Sequence, residues 1–428
     1  MAGHGLILAS PASGSGKTTI TLALLRLLAR RGVAVRGAKS GPDYIDPGYH
    51  EAACGAPCVN LDAWAMTPSR LRGLSAGDDL LIIEGAMGLF DGAPPDNRGA
   101  VADLARHLSL PVILVVDAGR MSGSVAALVN GFCTHDANVH VAGIILNKVA
   151  SERHERMLRR ALEPLDLPVL ACLRRDSALS LPSRHLGLVQ AGERSDLDNF
   201  LDLAADRLDA TLNLHEMHAL AAPLPTLAPQ MARPAPPGQV IALAQDAAFG
   251  FSYAHQIADW QAQGAEIRPF SPLKDEAVPK ADFVFLPGGY PELHAAHLSQ
   301  CHTFMRSLRN AAQTSVIYGE CGGYMILGDV LVDADDKAHE MAGLLRLETS
   351  FAQRKRHLGY RRLMASDGPM TGHWMGHEFH YATTLRAEGE PLFAAEDAEG
   401  VALPAMGLIS GRVQGSFAHI IDPAQTAP

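Results

Sequence analysis

Two groups of residues, far apart in the chain, have the types and spacing of reacting groups. In GECGGYMILG (319–328) a cysteine, Cys321, stands between an apolar run at 315–318 and a helix-like pattern. A strand-to-helix elbow of this kind exposes the sulfur and aims a helix N-terminus at it, which predicts a lowered thiol pKa. LPGGYPE (286–292) is a second glycine turn at a strand end. The backbone amides of Gly288 and Gly289, with that of Gly322, are candidates to hold an oxyanion beside the sulfur. QGSFAHIIDP (414–423) supplies His419, distant in sequence but free to be adjacent in space, as the base the nucleophile needs.

The other group begins in SPASGSGKTT (10–19). In a Walker A loop, glycines let backbone N–H groups wrap the phosphates, the lysine reaches the β/γ oxygens and a Ser/Thr hydroxyl takes Mg²⁺. Ser13, Gly14, Ser15, Gly16, Lys17, Thr18 and Thr19 fit an ATP site, with Thr18 on the metal. The usual first glycine is Pro11 here, so the loop is a variant, similar to those of dethiobiotin synthetase and its relatives. AKSGPDYIDPGYH (38–50) offers Lys39 to bridge a phosphate and an incoming carboxylate. Asp43, Tyr44 and Asp46 add acceptors and an aromatic wall at the carboxyl end of a sheet. EGAMGLFDG (84–92) puts Glu84 where a Walker B carboxylate holds Mg²⁺, directly or through water, and Asp91 on a glycine-bounded loop. Lys39, Asp43, Tyr44 and Asp91 are expected at the acceptor end, and Thr18, Asp46 and Glu84 at the metal. Asn147 and Lys148 close VAGIILN and are expected against a nucleotide base.

Regular elements must carry these groups. The runs at 6–10, 33–38, 79–84, 111–117 and 141–147 lack polar alternation and read as buried strands. Ile20, Ala23, Leu24, Leu27 and Leu28 recur on one helix face, and Gly32 suits its stop. The proline-rich stretch 222–238 reads as a linker. Beyond it the rhythm restarts at 240–245, 282–289 and 315–320. The expected fold is therefore α/β, with two doubly wound domains at 1–221 and 239–428.

At 428 residues two domains are expected; a composition 47% hydrophobic and 19% charged is that of a globular chain. A net charge of −10 argues against nucleic acid or an anionic membrane as main partner. The six cysteines have no repeated spacing, so a reducing compartment is expected. The first apolar run is too short for a signal peptide, and no stretch approaches about 20 apolar residues. These point to the cytoplasm; homodimerisation stays open.

GECGGYMILG, LPGGYPE and GSFAHIID together resemble a class I glutamine amidotransferase domain. With SGSGKTT, KSGPDYIDPGYH, EGAMGLFDG, LGYR (358–361) and GHEFHY (376–381), nearly the whole chain is similar to the cobyrinate and hydrogenobyrinate a,c-diamide synthase family. The resemblance implies that Cys321 attacks the glutamine amide with help from His419. It implies that ATP converts the a and c acetate carboxylates of a corrin to acyl phosphates, which the released ammonia then attacks. The partners implied are ATP, glutamine and a corrinoid polycarboxylate. Two positions beyond His419, where most class I domains have glutamate, stands Ile421, which leaves the third triad member open, with Asp422 as a substitute. GHEFHY is read either as lining the domain junction and ammonia path or as satisfied interior groups at His377 and His380. Rival readings are the same chemistry on another tetrapyrrole such as nickel sirohydrochlorin, a deviant-Walker partitioning ATPase, and a second domain that binds without catalysing. Ala12 stands where the deviant Walker loop carries an extra lysine.

Overall fold

A computed structural model describes residues 3–424 apart from 182, 185, 186, 226–232, 367 and 369. The chain divides into two compact units, Met1–Met231 and Ala232–Pro428.

In the first unit seven strands run parallel: β1 (His4–Ala9), β2 (Val35–Ser40), β3 (Val59–Leu61), β4 (Leu80–Glu84), β5 (Val112–Asp117), β6 (Val141–Val149) and β7 (Val169–Arg174). Their order is β3-β2-β4-β1-β5-β6-β7. Leu6, Ile7 and Leu8 are wholly buried, as are Ile82 and Ile83, which is why these strands read as unbroken apolar runs. Each such side chain contributes about 1.5–3 kcal/mol of burial. Register does the positioning. Leu8 pairs with Glu84 and Lys39 pairs with Glu84 from the other side, so the ends of three strands meet beside the phosphate loop.

Helix α1 (Lys17–Arg30) follows β1 directly. Its expected face is buried, and Thr21, Leu22 and Leu25 are buried too, while Arg26 pairs with Asp202 at 2.7 Å on the helix Leu197–Asp209. Gly32 ends it at φ 73°, a left-handed conformation that glycine adopts without strain. Ala222 and Pro223, expected to begin a linker, instead pair antiparallel with Gly5 and His4. Residues 226–232 of that expected linker lie outside the described residues.

In the second unit β8 (Val240–Ala244), β9 (Glu266–Phe270), β10 (Phe283–Leu286) and β11 (Val316–Glu320) lie parallel in the order β9-β8-β10-β11. Alternate residues of β10 and β11 face opposite cores. Val284, Leu286 and Ile317 pack with Phe304 and Leu308 of the helix His302–Ala311. Phe283, Phe285 and Tyr318 pack with Leu363 and Ile420. That second face was not anticipated. It is covered by a five-stranded antiparallel sheet containing β12 (His357–Ala365), β13 (Gly372–His380) and β15 (Ala418–Pro423). β14 (Val413–Ser416) joins the parallel sheet beside β11. A further four-stranded sheet is built from Val330–Val332, Ala338–Glu340, Arg346–Ser350 and Thr383–Glu388.

Candidate active sites

The phosphate loop turns through Gly14 at φ 78° and Gly16 at φ 88°. A side chain at Gly16 would put its Cβ 2.2 Å from Asn147 Nδ2, so the turn requires glycine there. Asn147, expected against a base, spends its amide on the Ser15 carbonyl at 2.8 Å and clamps the loop. Lys148 likewise bonds the Gly14 carbonyl at 2.9 Å and Asp117 at 2.7 Å. The Ser15 hydroxyl donates to the Ala12 carbonyl at 2.8 Å, Thr19 to that of Leu179 at 3.3 Å, and Ser13 is exposed.

Lys17 Nζ donates to Ser10 Oγ at 2.7 Å and to the Met87 carbonyl at 2.5 Å. Burial lowers its pKa to about 8, against the pull of Glu84. Thr18 Oγ1 donates to Glu84 Oε1 at 2.6 Å. Glu84 is wholly buried; its Oε1 also receives Lys39 Nζ at 2.8 Å, and its Oε2 meets His50 Nε2 at 2.7 Å. Burial opposes ionisation of Glu84, but Lys39 and His50 outweigh it and hold the carboxyl far below its usual range. Asp46 is pushed the other way, to about 7, by burial first and then by Asp43.

Lys39 departs from its expected role. It is 4% exposed and shared between Asp46 and Glu84, so it neutralises the acidic pair rather than facing an incoming carboxylate. Asp43 caps α2 (Asp46–Cys54), its Oδ1 accepting from the backbone of Ile45 at 2.8 Å and Asp46 at 3.0 Å. Asp91 is exposed and accepts from the Gly88 amide at 3.0 Å; Tyr44 is half-buried.

The other group comes together at the end of β11. Cys321 adopts φ 46° and ψ −100°, a conformation costing a non-glycine residue about 1–3 kcal/mol. Its amide donates to the Ser416 carbonyl at 2.8 Å, and α3 (Gly322–Leu327) follows at once. Gly323 has no room for a side chain, since a Cβ would stand 1.9 Å from the Leu286 carbonyl oxygen. A Cβ at Gly288 would lie 2.4 Å from His419 Cε1, 3.2 Å from its Nε2 and 3.3 Å from Cys321 Cβ. The glycine turn, the sulfur-bearing residue and the imidazole therefore converge on one point. A Cβ at Gly322 would stand 3.1 Å from the Gly289 nitrogen, so the amide-bearing glycines converge there too.

The thiol does not have the expected lowered pKa. Cys321 is 2% exposed, and burial, reinforced by Glu292, pushes it well up; the Gly322 amide of the six-residue α3 is a weaker opposing pull. His377 pairs in register with His419 across β13 and β15, and burial and His419 lower its pKa to about 3. His380 is buried, bonded to Glu378 at 2.9 Å and stacked on Phe417 at 3.9 Å. In GHEFHY, Glu378 and His380 are buried and His377 and Phe379 half-buried, and the strand backs that of His419.

Residues 240–425 match the CobB/CobQ-like glutamine amidotransferase domain, and residues 6–189 the CobQ/CobB/MinD/ParA nucleotide binding domain. A hydrogenobyrinate a,c-diamide synthase of Brucella anthropi is 54% identical over 430 residues, covering 98% of this chain and 98% of that protein. One from Rhizobium meliloti is 53% identical over 432 residues, covering 98% and 99%. The chain belongs to the hydrogenobyrinate a,c-diamide synthase family.

For a hydrogenobyrinate a,c-diamide synthase family member, two site residues had escaped the sequence. His50 closes KSGPDYIDPGYH with no chemical signal in its neighbours, yet it holds Glu84. Glu320 immediately precedes Cys321, and its Oε2 stands 3.4 Å from His419 Nδ1. An acid at a strand end beside the nucleophile was the available signal. Among the described residues, no helix is long and apolar enough to cross a membrane.

Proposed function

We propose that this chain converts the a and c acetate carboxylates of hydrogenobyrinate, or of its cobalt form cobyrinate, to amides, using ATP and glutamine. The observation that supports it most is the convergence of Cys321 and His419 on Gly288, in a chain that also carries Lys17, Thr18 and Glu84 around a phosphate loop. In the glutaminase step the Cys321 proton passes to His419 Nε2 as sulfur attacks the glutamine amide carbon. The carbon–nitrogen bond breaks, ammonia leaves with the proton from His419, and water hydrolyses the thioester to glutamate and free thiol. Amides near Gly288, Gly289 and Gly322 hold the oxyanion. Because Cys321 is buried and its thiol raised, this proton transfer accompanies substrate binding rather than preceding it.

In the synthetase step an acetate oxygen attacks the γ-phosphorus and ADP leaves. Ammonia then attacks the acyl phosphate carbon, phosphate leaves, and nitrogen gives up a proton. Ser13, Gly14, Ser15, Gly16 and Thr19 shape the nucleotide cradle, and Lys17 carries positive charge to the phosphates. Thr18 bonds Glu84, and Lys39 bridges Glu84 and Asp46, so these three residues would offer the oxygen donors that suit Mg²⁺. Glu84 already receives Thr18, Lys39 and His50, so with Mg²⁺ bound its role would be to orient the Thr18 hydroxyl. When bound, Mg²⁺ supplies charge neutralisation at the β- and γ-phosphate oxygens. Asp43, Tyr44 and Asp91 border the acceptor. The net charge of −10 supports small-molecule partners over nucleic acid, and the six free cysteines support a reducing, cytoplasmic setting.

Purified protein given Mg²⁺-ATP, glutamine and hydrogenobyrinate should yield a diamide by mass spectrometry, with ADP and glutamate formed in step. ADP release without an amidated corrin, or amidation of nickel sirohydrochlorin in its place, would overturn the reading.

A further inference from the structure

We propose that Glu320 is the carboxylate that positions His419, so that the third member of the glutaminase triad comes from the nucleophile's strand rather than the histidine's. This rests on the assignment of Cys321 and His419 as nucleophile and base.

Three observations converge. Alternation along β11 sends Ile317 into the core under the helix His302–Ala311, while Tyr318, on the opposite face, packs with Ile420 of β15. Glu320, two residues beyond Tyr318, shares that face. Its Oε1 accepts from the Ile420 amide at 3.0 Å, which fixes the carboxylate against the histidine strand one residue past His419. Its Oε2 then stands 3.4 Å from His419 Nδ1, with both side chains 2% exposed. Nδ1 is the ring nitrogen within ion-pair distance of the acid, while Nε2 lies on the Gly288 side. That is the division of labour a general base requires: one nitrogen holds its proton toward a carboxylate, leaving the other free to accept.

Geometry also explains why glutamate two residues past His419 is dispensable. The place is taken by Ile421, and Glu320 reaches the imidazole from β11, in the sheet packed against that of β15. Asp422, the substitute suggested by the sequence, pairs in register with Met375 rather than with His377, the partner of His419. Glu320 and Asp422 both line a cavity of about 480 Å³ walled by Trp260, Tyr318 and Trp374, so isosteric replacements are the informative ones. Charged or titratable groups beside the pair are Cys321, Tyr318 and His377, with Glu292 and Glu378 acting on Cys321 and Arg361 and Glu378 on His377.

The test compares full-length E320Q, E320D, D422N and C321S for glutamine hydrolysis and for amidation driven by added ammonium. E320Q keeps an acceptor for the Ile420 amide but loses the charge. It should lower glutaminase kcat about 100-fold, leave ammonium-driven amidation within about twofold, and move the acid limb of the kcat/KM–pH profile to lower pH. E320D should restore part of the rate and the profile. Glutaminase within about threefold of wild type with an unmoved profile in E320Q would overturn the assignment, as would D422N reproducing the loss. Retained hydrolysis in C321S would instead bring down the underlying Cys–His assignment.

Discussion

His50 Nε2 lies 2.7 Å from Glu84 Oε2, and both side chains are wholly buried. The imidazole is consequently held charged: burial opposes this, but Cys58 and Glu84 raise its pKa to about 10. Glu84 in turn fixes Thr18 and Lys39, so a histidine with no evident role in the sequence anchors the centre of the phosphate site.

Removing that anchor should be costly. H50Q leaves a buried carboxylate short of one partner, and urea unfolding should show a loss of about 3 kcal/mol. The pH dependence has a defined sign. A histidine whose folded pKa lies above its unfolded value stabilises fully below about pH 6.5, and that stability is lost as pH rises toward about 10. In metal-free buffer the wild type should lose up to about 1.4 kcal/mol per pH unit in that window, and H50Q should show a flatter profile. Parallel profiles would dismiss the ion pair as the cause.

Lys17 yields a binding prediction. Its lowered pKa of about 8 means that free protein loses this positive charge as pH rises, whereas bound phosphates favour keeping it. Calorimetry should find ATP affinity constant below pH 8 and falling by up to about tenfold per unit above it. K17M should abolish the trend along with most of the affinity.

Gly288 offers a steric test. G288A drives a methyl group to 2.4 Å from His419 Cε1, so the imidazole must move off the sulfur. Glutamine hydrolysis should drop at least about 100-fold while ammonium-driven amidation continues. Normal hydrolysis in G288A would mean that the glycine turn does not border the reacting atoms.

The buried thiol should also betray itself chemically. Without glutamine, iodoacetamide should alkylate Cys321 slowly near neutral pH, with a rate that climbs through about pH 9 and shows no plateau. A plateau near pH 6 to 7 would restore the thiolate that the elbow alone suggested.

Much of the framework was legible because its strands are buried on both faces. LILAS, DLLIIE and SVIYGE are continuous apolar runs or nearly so, and glycine turns mark where they end. The antiparallel sheet was not legible. β13, GHWMGHEFH, mixes exposed, half-buried and buried positions with three histidines and two glycines, and neither helical nor strand periodicity stands out. Site residues divide in the same way. Lys17, Cys321 and their glycines are local patterns, readable from spacing. His50 with Glu84 is a helix-to-strand contact, and Glu320 with His419 joins strands of two sheets packed face to face, so the partners stand 34 positions apart in one case and 99 in the other. The thiol failed to follow its local pattern because burial outweighed a helix of only six residues.

The short strand Ala222–Pro223 has a practical meaning for anyone wishing to split this chain into its working halves. Leu224, just beyond it, is 3% exposed, and its amide donates to the Gly3 carbonyl at 2.8 Å. A cut at residue 221, where composition alone would place the boundary, would strip that clasp from the opening of β1, the strand that delivers the phosphate loop. A protease site or a split-protein junction placed after Leu224 would leave the clasp whole.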